Sequence, residues 1–395
     1  MKGQKAIETL KLRASYGISG NEDIGNYGSK KYYVSQGFLN RQGLVRGNIG
    51  NSSLKWETVK KANIGLDAAL YNERINLSID VYNTNISDML VYEPTGSLSG
   101  FPYALTNSGS MQNTGLEIAV NTRIINNEKL VWGMGFNLGT YKNKIKSLPA
   151  GIPLNSYAGA TYLMREGRAA NLFYGYKTNG VYTSAAEANA SGLMNKLSNG
   201  SLVPFQGGDV RFVNTNGDAV IDKNDMQVIG NPNPDFVGGL SNRLAYKRWS
   251  LDALFTFSVG NDIYNATRAS LESMSGYENQ TLAVLNRWRT DGQVTNMPRA
   301  VWGDPAENAR FSDRWIEDGS YFKLRTVSLS YDVPFKAAFM KYATVYATAN
   351  NVFTVTKYLG YDPEFSSQGS IFARGVDTGL EPIYKSVQLG VRIGL

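Results

Sequence analysis

The 395-residue chain contains no cysteine and no histidine. Without cysteine there is no disulfide framework, no thiolate zinc site and no thiol nucleophile. Without histidine the Ser-His-Asp and Cys-His relays, the His-ligated metals and imidazole acid–base catalysis are all unavailable. Carboxylate pairs and the chemistry of tyrosine and lysine remain open. Charge is also sparse, at 18% of residues, and the net charge of +7 is scattered along the chain. That distribution gives no basic patch and no nucleic-acid partner. Long apolar runs are missing too: no stretch of about eighteen residues qualifies as a transmembrane helix. The opening residues Met1-Lys2-Gly3-Gln4-Lys5 run into Glu8 without the apolar block of an export signal. If the protein is exported, that signal is expected upstream of Met1.

What the chain does have is glycine (41), tyrosine (24) and phenylalanine (16), with Asn, Ser and Thr throughout, a profile of strands joined by polar turns. Apolar residues alternate with polar ones over most of its length. Leu10, Leu12, Ala14, Tyr16 and Ile18 are interleaved with Lys11, Arg13, Ser15 and Gly17. The same period recurs in Ile64–Leu70, Ile75–Val81, Leu116–Val120, Trp132–Leu138, Leu251–Val259, Tyr321–Val333 and Val387–Ile393, and more weakly near 236–246 and 342–352. A period of two marks strands with one apolar face, and the count comes to about ten.

The connections alternate in length. Short ones are expected at Tyr71–Arg74, Asn126–Lys129, Lys247–Arg248 and Pro334–Lys341. Long ones are expected over 19–53, 91–110, 147–234, 261–319 and 353–383. Outer-membrane barrels show this asymmetry, with tight periplasmic turns and long extracellular loops. The first strand then runs outward and the last inward. Tyr71, Trp132, Tyr246, Trp249 and Tyr331 lie beside the short turns, where an interfacial girdle places amphipathic rings. Cross-strand packing in ordinary hairpins places aromatics there too. The expected fold is an all-β, antiparallel transmembrane barrel segment of about ten strands.

Several blocks resemble the C-terminal barrel of the SusC/RagA family of TonB-dependent outer-membrane proteins from Bacteroidetes. They include LKLRASYGISGN at 10–21, LKWETVKKANIGLD at 54–67, INLSIDVYNTNISDML at 75–90 and TNSGSMQNTGLEI at 106–118. Later blocks are NPNPDFVGGLSNRLAYK at 231–247, SDRWIEDGSYFKLRTVSLSYDVP at 312–334 and ANNVFTVTKYLGYDPE at 349–364. They span nearly the whole chain in the family's order. The resemblance implies an importer of oligosaccharides or peptides in the outer membrane. It implies a SusD-like surface lipoprotein as partner and TonB–ExbB–ExbD acting through an N-terminal plug. The family barrel has about 22 strands around a plugged lumen. Residues 1–395 are therefore expected to be the C-terminal part of such a barrel, without the plug and the first barrel strands.

Three sets of residues are candidates for function. Asn214, Asn216, Asp218, Asp222 and Asp225 stand at the oxygen-ligand spacing of a calcium loop. Family members often read D-x-N-G-D-G-x-I-D there. Asn214, Ala219 and Asp225 each replace a better calcium-loop residue, and a tight polar turn is the alternative; no cofactor is otherwise required. Trp288, Trp302, Trp315 and Tyr277, in the 261–319 loop, are candidates for stacking on a ligand, or for packing that loop on itself. Asp67, Asp80, Glu117, Arg123 and Asp252 fall on the polar faces of their strands and are expected to line the lumen, as substrate-path or merely solvated groups. Their spacing gives no acid–base pair. Two other readings stay open: a self-contained barrel enzyme of the outer membrane, and a soluble carbohydrate-binding all-β protein.

Overall fold

The computed structural model describes residues 6–24, 26–149, 155–334, 340–365 and 373–394. Ten strands form one antiparallel sheet in which each pairs with the next in chain order. They are β1 (Ile7–Asn21), β2 (Glu57–Leu70), β3 (Ile75–Pro94), β4 (Tyr103–Asn126), β5 (Leu130–Ser147), β6 (Phe236–Tyr246), β7 (Trp249–Val259), β8 (Tyr321–Val333), β9 (Tyr342–Thr356) and β10 (Ser386–Gly394). All ten strands expected from the alternation are present.

The register keeps the two faces of the sheet apart. Leu12 pairs with Leu66, Leu66 with Ile79, Ile79 with Ile118 and Ile118 with Leu138, a continuous apolar row across five strands. One residue along, Arg13 pairs with Gly65, Gly65 with Asp80, Asp80 with Glu117 and Glu117 with Gly139. A slip of one residue in any strand would exchange the faces, so the row fixes the register.

The apolar face is exposed. Leu12 is 74% exposed, Ile64 61% and Leu389 81%, although all three lie in paired strands. A soluble sheet would cover such a face; a lipid-facing barrel wall leaves it bare. Trp249 and Tyr331, paired across β7 and β8 beside the short turns, pack with ring centroids 4.6 Å apart and planes tilted by 46°. Trp132 sends its indole N–H to Asn242 Oδ1 at 2.7 Å, which satisfies both polar groups near that rim.

The short turns lie where alternation places them. In the β2–β3 turn, Tyr71, Asn72 and Glu73 all take left-handed backbone angles (φ 54–57°), a conformation that asparagine tolerates better than most residues. In the β4–β5 turn, Asn127 Oδ1 accepts the N–H groups of Lys129 and Leu130. The Pro334–Lys341 turn lies partly outside the described residues. One connection differs from expectation. The stretch 91–110 is mostly strand, and only residues 95–102 link β3 to β4. Register shifts between Ile86 and Met89, and between Met89 and Val91, break the period-two pattern there and hide the strand ends.

The hydrophobic core lies in the long connections. Among the described residues, Ala68 and Ile145 are the only buried apolar side chains contributed by the ten strands. The rest come from 148–235, 260–320 and 357–385, which knit into a head at one end of the sheet. Tyr162, Phe173, Tyr264, Trp315 and Val376 form one cluster, and Tyr182, Phe205, Val210, Phe212 and Ile221 a second. Asp262–Asn265 is a strand between Ile316–Asp318 and Val376–Asp377, so segments far apart in sequence share one small sheet. Arg374 ties the head to the wall: it donates to Tyr141 of β5, and its carbonyl accepts from Tyr162.

Candidate functional site

Asp67, Asp80, Glu117, Arg123 and Asp252 all project from the polar face of the sheet, as the register requires. The first two meet at a residue that was not among the candidates. Arg13 contacts Asp67 through Nε (2.7 Å) and NH2 (2.8 Å), and Asp80 through NH1 and NH2 (both 2.9 Å). Ser78 donates to Asp67 and Asn63 to Asp80. The guanidinium fits between two carboxylates because Gly65 occupies the intervening position. A Cβ there would lie 2.5 Å from Asp80 Oδ1 and 2.7 Å from the Arg13 guanidinium. Arg13 already stands on the polar side of the alternation, but only the pairing register shows which carboxylates it serves. The other candidates are looser. Arg243 reaches Asp252 at 3.8 Å and Arg123 reaches Glu73 at 4.0 Å, all substantially exposed. Such pairs contribute little to stability.

A second charged group sits where the head meets the wall. Lys323 of β8 projects from the polar face and binds Asp362 and Glu364; Arg325 contacts Glu364 as well. Residues 357–365 are thereby drawn in against the interior of the sheet. The YDPE motif at 361–364 carries both carboxylates, yet sequence alone does not say which basic side chain receives them.

The aromatic candidates separate. Trp315 is buried in the head core, 1% exposed, and its ring carries the guanidinium groups of Arg268 and Arg314. It presents no surface for stacking on a ligand. Trp288 is half-buried and donates its indole N–H to the Thr183 carbonyl at 2.9 Å, packing against Gly208. Trp302 and Tyr277 are exposed, 71% and 88%, and stack on one another with centroids 6.0 Å apart.

The 214–225 loop is closed by its own donors. Asp225 is fully buried, with Oδ1 accepting from Thr215 N–H and Oδ2 from Asp222 N–H. Asp218 Oδ1 accepts from Val220 N–H, and Asp218 Oδ2 from the Asn216 side chain. Asn214 Oδ1 accepts from Gly217 N–H, and Asp222 Oδ1 from Asn224 N–H. This is the geometry of a capped turn. Among the described residues no group of three or more acidic side chains is placed to hold a metal ion.

In the head, Glu187 Oε2 accepts both the N–H and the hydroxyl of Thr183 at 2.7 Å, which holds its carboxyl below the usual glutamate range. Burial pushes the Asp304 carboxyl up, opposed by hydrogen bonds from the N–H groups of Ala309 and Asn308.

Residues 5–352 match the family model described as the β-barrel of TonB-dependent receptors. The chain belongs to this family. TonB-dependent receptor P3 of Formosa agariphila is 32% identical to it over 412 residues, and SusC of Bacteroides thetaiotaomicron is 26% identical over 427 residues. Each alignment covers all of this chain but only 40% and 38% of those proteins, so the chain spans about two fifths of the length of these curated relatives. Among solved structures, the RagAB peptide importer in its open-open state superposes with a TM-score of 0.81 and 25% identity, covering 100% of this chain and 41% of that one. This TonB-dependent receptor barrel is thus of the SusC/RagA type and is an outer-membrane protein. The exposed apolar face of its sheet suits a lipid surround, and the opposite, polar face carries Arg13 and Lys323.

Proposed function

We propose that the chain forms part of the wall and outer mouth of an importer that takes oligosaccharides or peptides across the outer membrane. The observation that carries this reading is the sorting of the sheet: an uninterrupted lipid-facing apolar row on one side, and on the other a hydrogen-bonded polar face capped by a folded head. A protein that only adheres to ligand needs no such interior. A SusD-like surface lipoprotein would cooperate with the head. Energy would come from TonB–ExbB–ExbD through a plug lying outside the 395 residues. Trp302 and Tyr277 offer a stacked, exposed aromatic surface for a sugar ring or an aromatic side chain of the ligand.

The test is uptake in cells. Deleting the gene should abolish import of at least one class of labelled oligosaccharide or peptide, and collapsing the proton-motive force should do the same. Full uptake in the deletion strain across a panel of both ligand classes would contradict the proposal.

A further inference from the structure

The head contains an open cavity of about 750 Å³ between residues 178–180, 268–297 and 314. Three arginines line it, Arg268, Arg289 and Arg314, against one glutamate, Glu272. Arg268 is neutralised: it binds Glu317 at 2.5 Å and Glu272 at 3.3 Å, and both carboxylates are buried. Glu272 is completed by the Thr281 hydroxyl. Asp313, next in sequence to Arg314, accepts from the N–H and hydroxyl of Thr178.

Arg289 is exposed and donates to the Leu285 carbonyl, so Arg314 is the partly buried arginine left without a carboxylate. Its NH1 donates to the Asn296 carbonyl at 2.5 Å and its NH2 reaches only the Met297 sulfur at 3.9 Å. Its Nε is buried with no acceptor, and among the described residues it forms no ion pair. Burial, with Arg268 nearby, lowers its pKa to about 10 against the opposing pull of Glu272 and Asp313, neither of which touches it, so the group stays charged at neutral pH. The Trp315 ring, 5.2 Å from the Arg314 guanidinium carbon, holds it in place from one side. A partly buried charge is ordinarily paired, because burial raises the cost of leaving it uncompensated. A guanidinium with no carboxylate in direct contact at a cavity wall, already fixed in position, is arranged to receive one. The cavity falls in the size range of small-molecule sites, and Asn286, Gln293 and Thr295 add neutral hydrogen-bonding groups to its wall.

We infer that this cavity is a carboxylate-binding site, with Arg314 as the residue that grips the carboxylate of a ligand the size of a short uronate oligosaccharide or peptide. The inference rests on the import reading for the kind of ligand; the grip on a carboxylate rests on Arg314.

The full chain, purified in detergent, is titrated calorimetrically with two pairs of probes. One pair is digalacturonate and its methyl ester; the other is triglycine and triglycine amide. At least one acid should bind ten-fold or more tightly than its neutral partner. Preference within the first pair identifies a uronate ligand, and within the second a peptide carboxylate. Arg314→Gln should remove the preference and leave binding of the neutral probe unchanged. Acid and neutral probes that bind alike, or a preference that survives Arg314→Gln, overturn the inference. Should the variant misfold, competition by acetate on the unmodified chain decides the matter: displacement of the acid probe alone supports the site, and failure to displace it sinks it. Acid preference is read from binding and import from uptake by the deletion strain. Absence of the preference while deletion still abolishes uptake defeats only this inference, and full uptake in the deletion strain with the preference intact defeats only the import reading.

Discussion

Lys323 Nζ lies 3.0 Å from both carboxylate oxygens of Asp362, with 1% of the lysine side chain exposed. This pair, joined by Glu364 at 3.0 Å, fastens the start of the last long connection to the inner face of β8. The two carboxylates accept from the amine together, so the buried head group is fully paired.

Replacing Lys323 with methionine leaves Asp362 and Glu364 without that partner, a change that costs about 3–5 kcal/mol when a buried pair is broken. The expected result is release of residues 357–365. Chymotrypsin applied to intact cells should cleave at Tyr361 much faster in the variant than in the parent. Equal cleavage rates would show that the segment is held by something else.

The outward row predicts an asymmetric response to charge. Ile79→Arg places a cation on the lipid side and should cost about 2–4 kcal/mol if near the bilayer midplane. Asp252→Arg, on the inner face and half-exposed, should cost under about 1 kcal/mol. Heat-modifiable mobility on gels, which reports the folded barrel, measures both.

Gly65→Ala should disturb the Arg13–Asp67–Asp80 group, because the new methyl would approach Asp80 Oδ1 to 2.5 Å. Overpacking of this kind costs about 1–3 kcal/mol. A fall in the thermal midpoint of the purified chain is expected, and Gly17→Ala, whose surroundings are open, is the control that should leave it unchanged.

Glu187 gives the head a pH dependence with a defined sign. Its folded-state pKa is depressed below the ordinary glutamate value of 4.5. The carboxylate therefore contributes stability that is fully present above about pH 5 and is lost as pH falls through the depressed value. Hydrogen exchange of the amides in the helix Ala185–Ala190 should be flat from neutral pH down to that window, after correction for intrinsic rates, and then rise. Glu187→Gln should remove the acid-side rise.

Trp315→Ala should destabilise the head by about 3–5 kcal/mol, as expected for loss of a fully buried aromatic. Trp302→Ala, on an exposed ring, should leave its protease resistance intact.

The wall was legible in the sequence because a strand with lipid on one side and water on the other must alternate. Leu10 to Ile18 shows that pattern without help from any other segment. Where the backbone bulges, as between Ile86 and Val91, the period breaks and the strand end looks like loop in the sequence. The head was not legible for a different reason. Its core joins Tyr162 to Trp315 and Val376, residues whose local sequence carries no periodicity. Nothing near Trp315 or Trp302 says that one is buried and the other is not. The charged sites were half legible: alternation places Arg13, Asp67 and Asp80 on the polar face, whereas Lys323 reaches it only through the register shift between Leu324 and Thr326, and register and loop docking pair them all. Arg314 was invisible, since an unpartnered guanidinium is a property of its surroundings.

The central claim is that one face of the sheet meets lipid and the other lines a water-filled interior. Because the chain contains no cysteine, single cysteines introduced at consecutive β3 positions, Ile79, Asp80, Val81 and Tyr82, can be labelled without background. In intact outer membranes a charged, water-soluble maleimide should label positions 80 and 82, while a lipid-soluble maleimide should label 79 and 81. Equal labelling of all four by the water-soluble reagent would contradict the account.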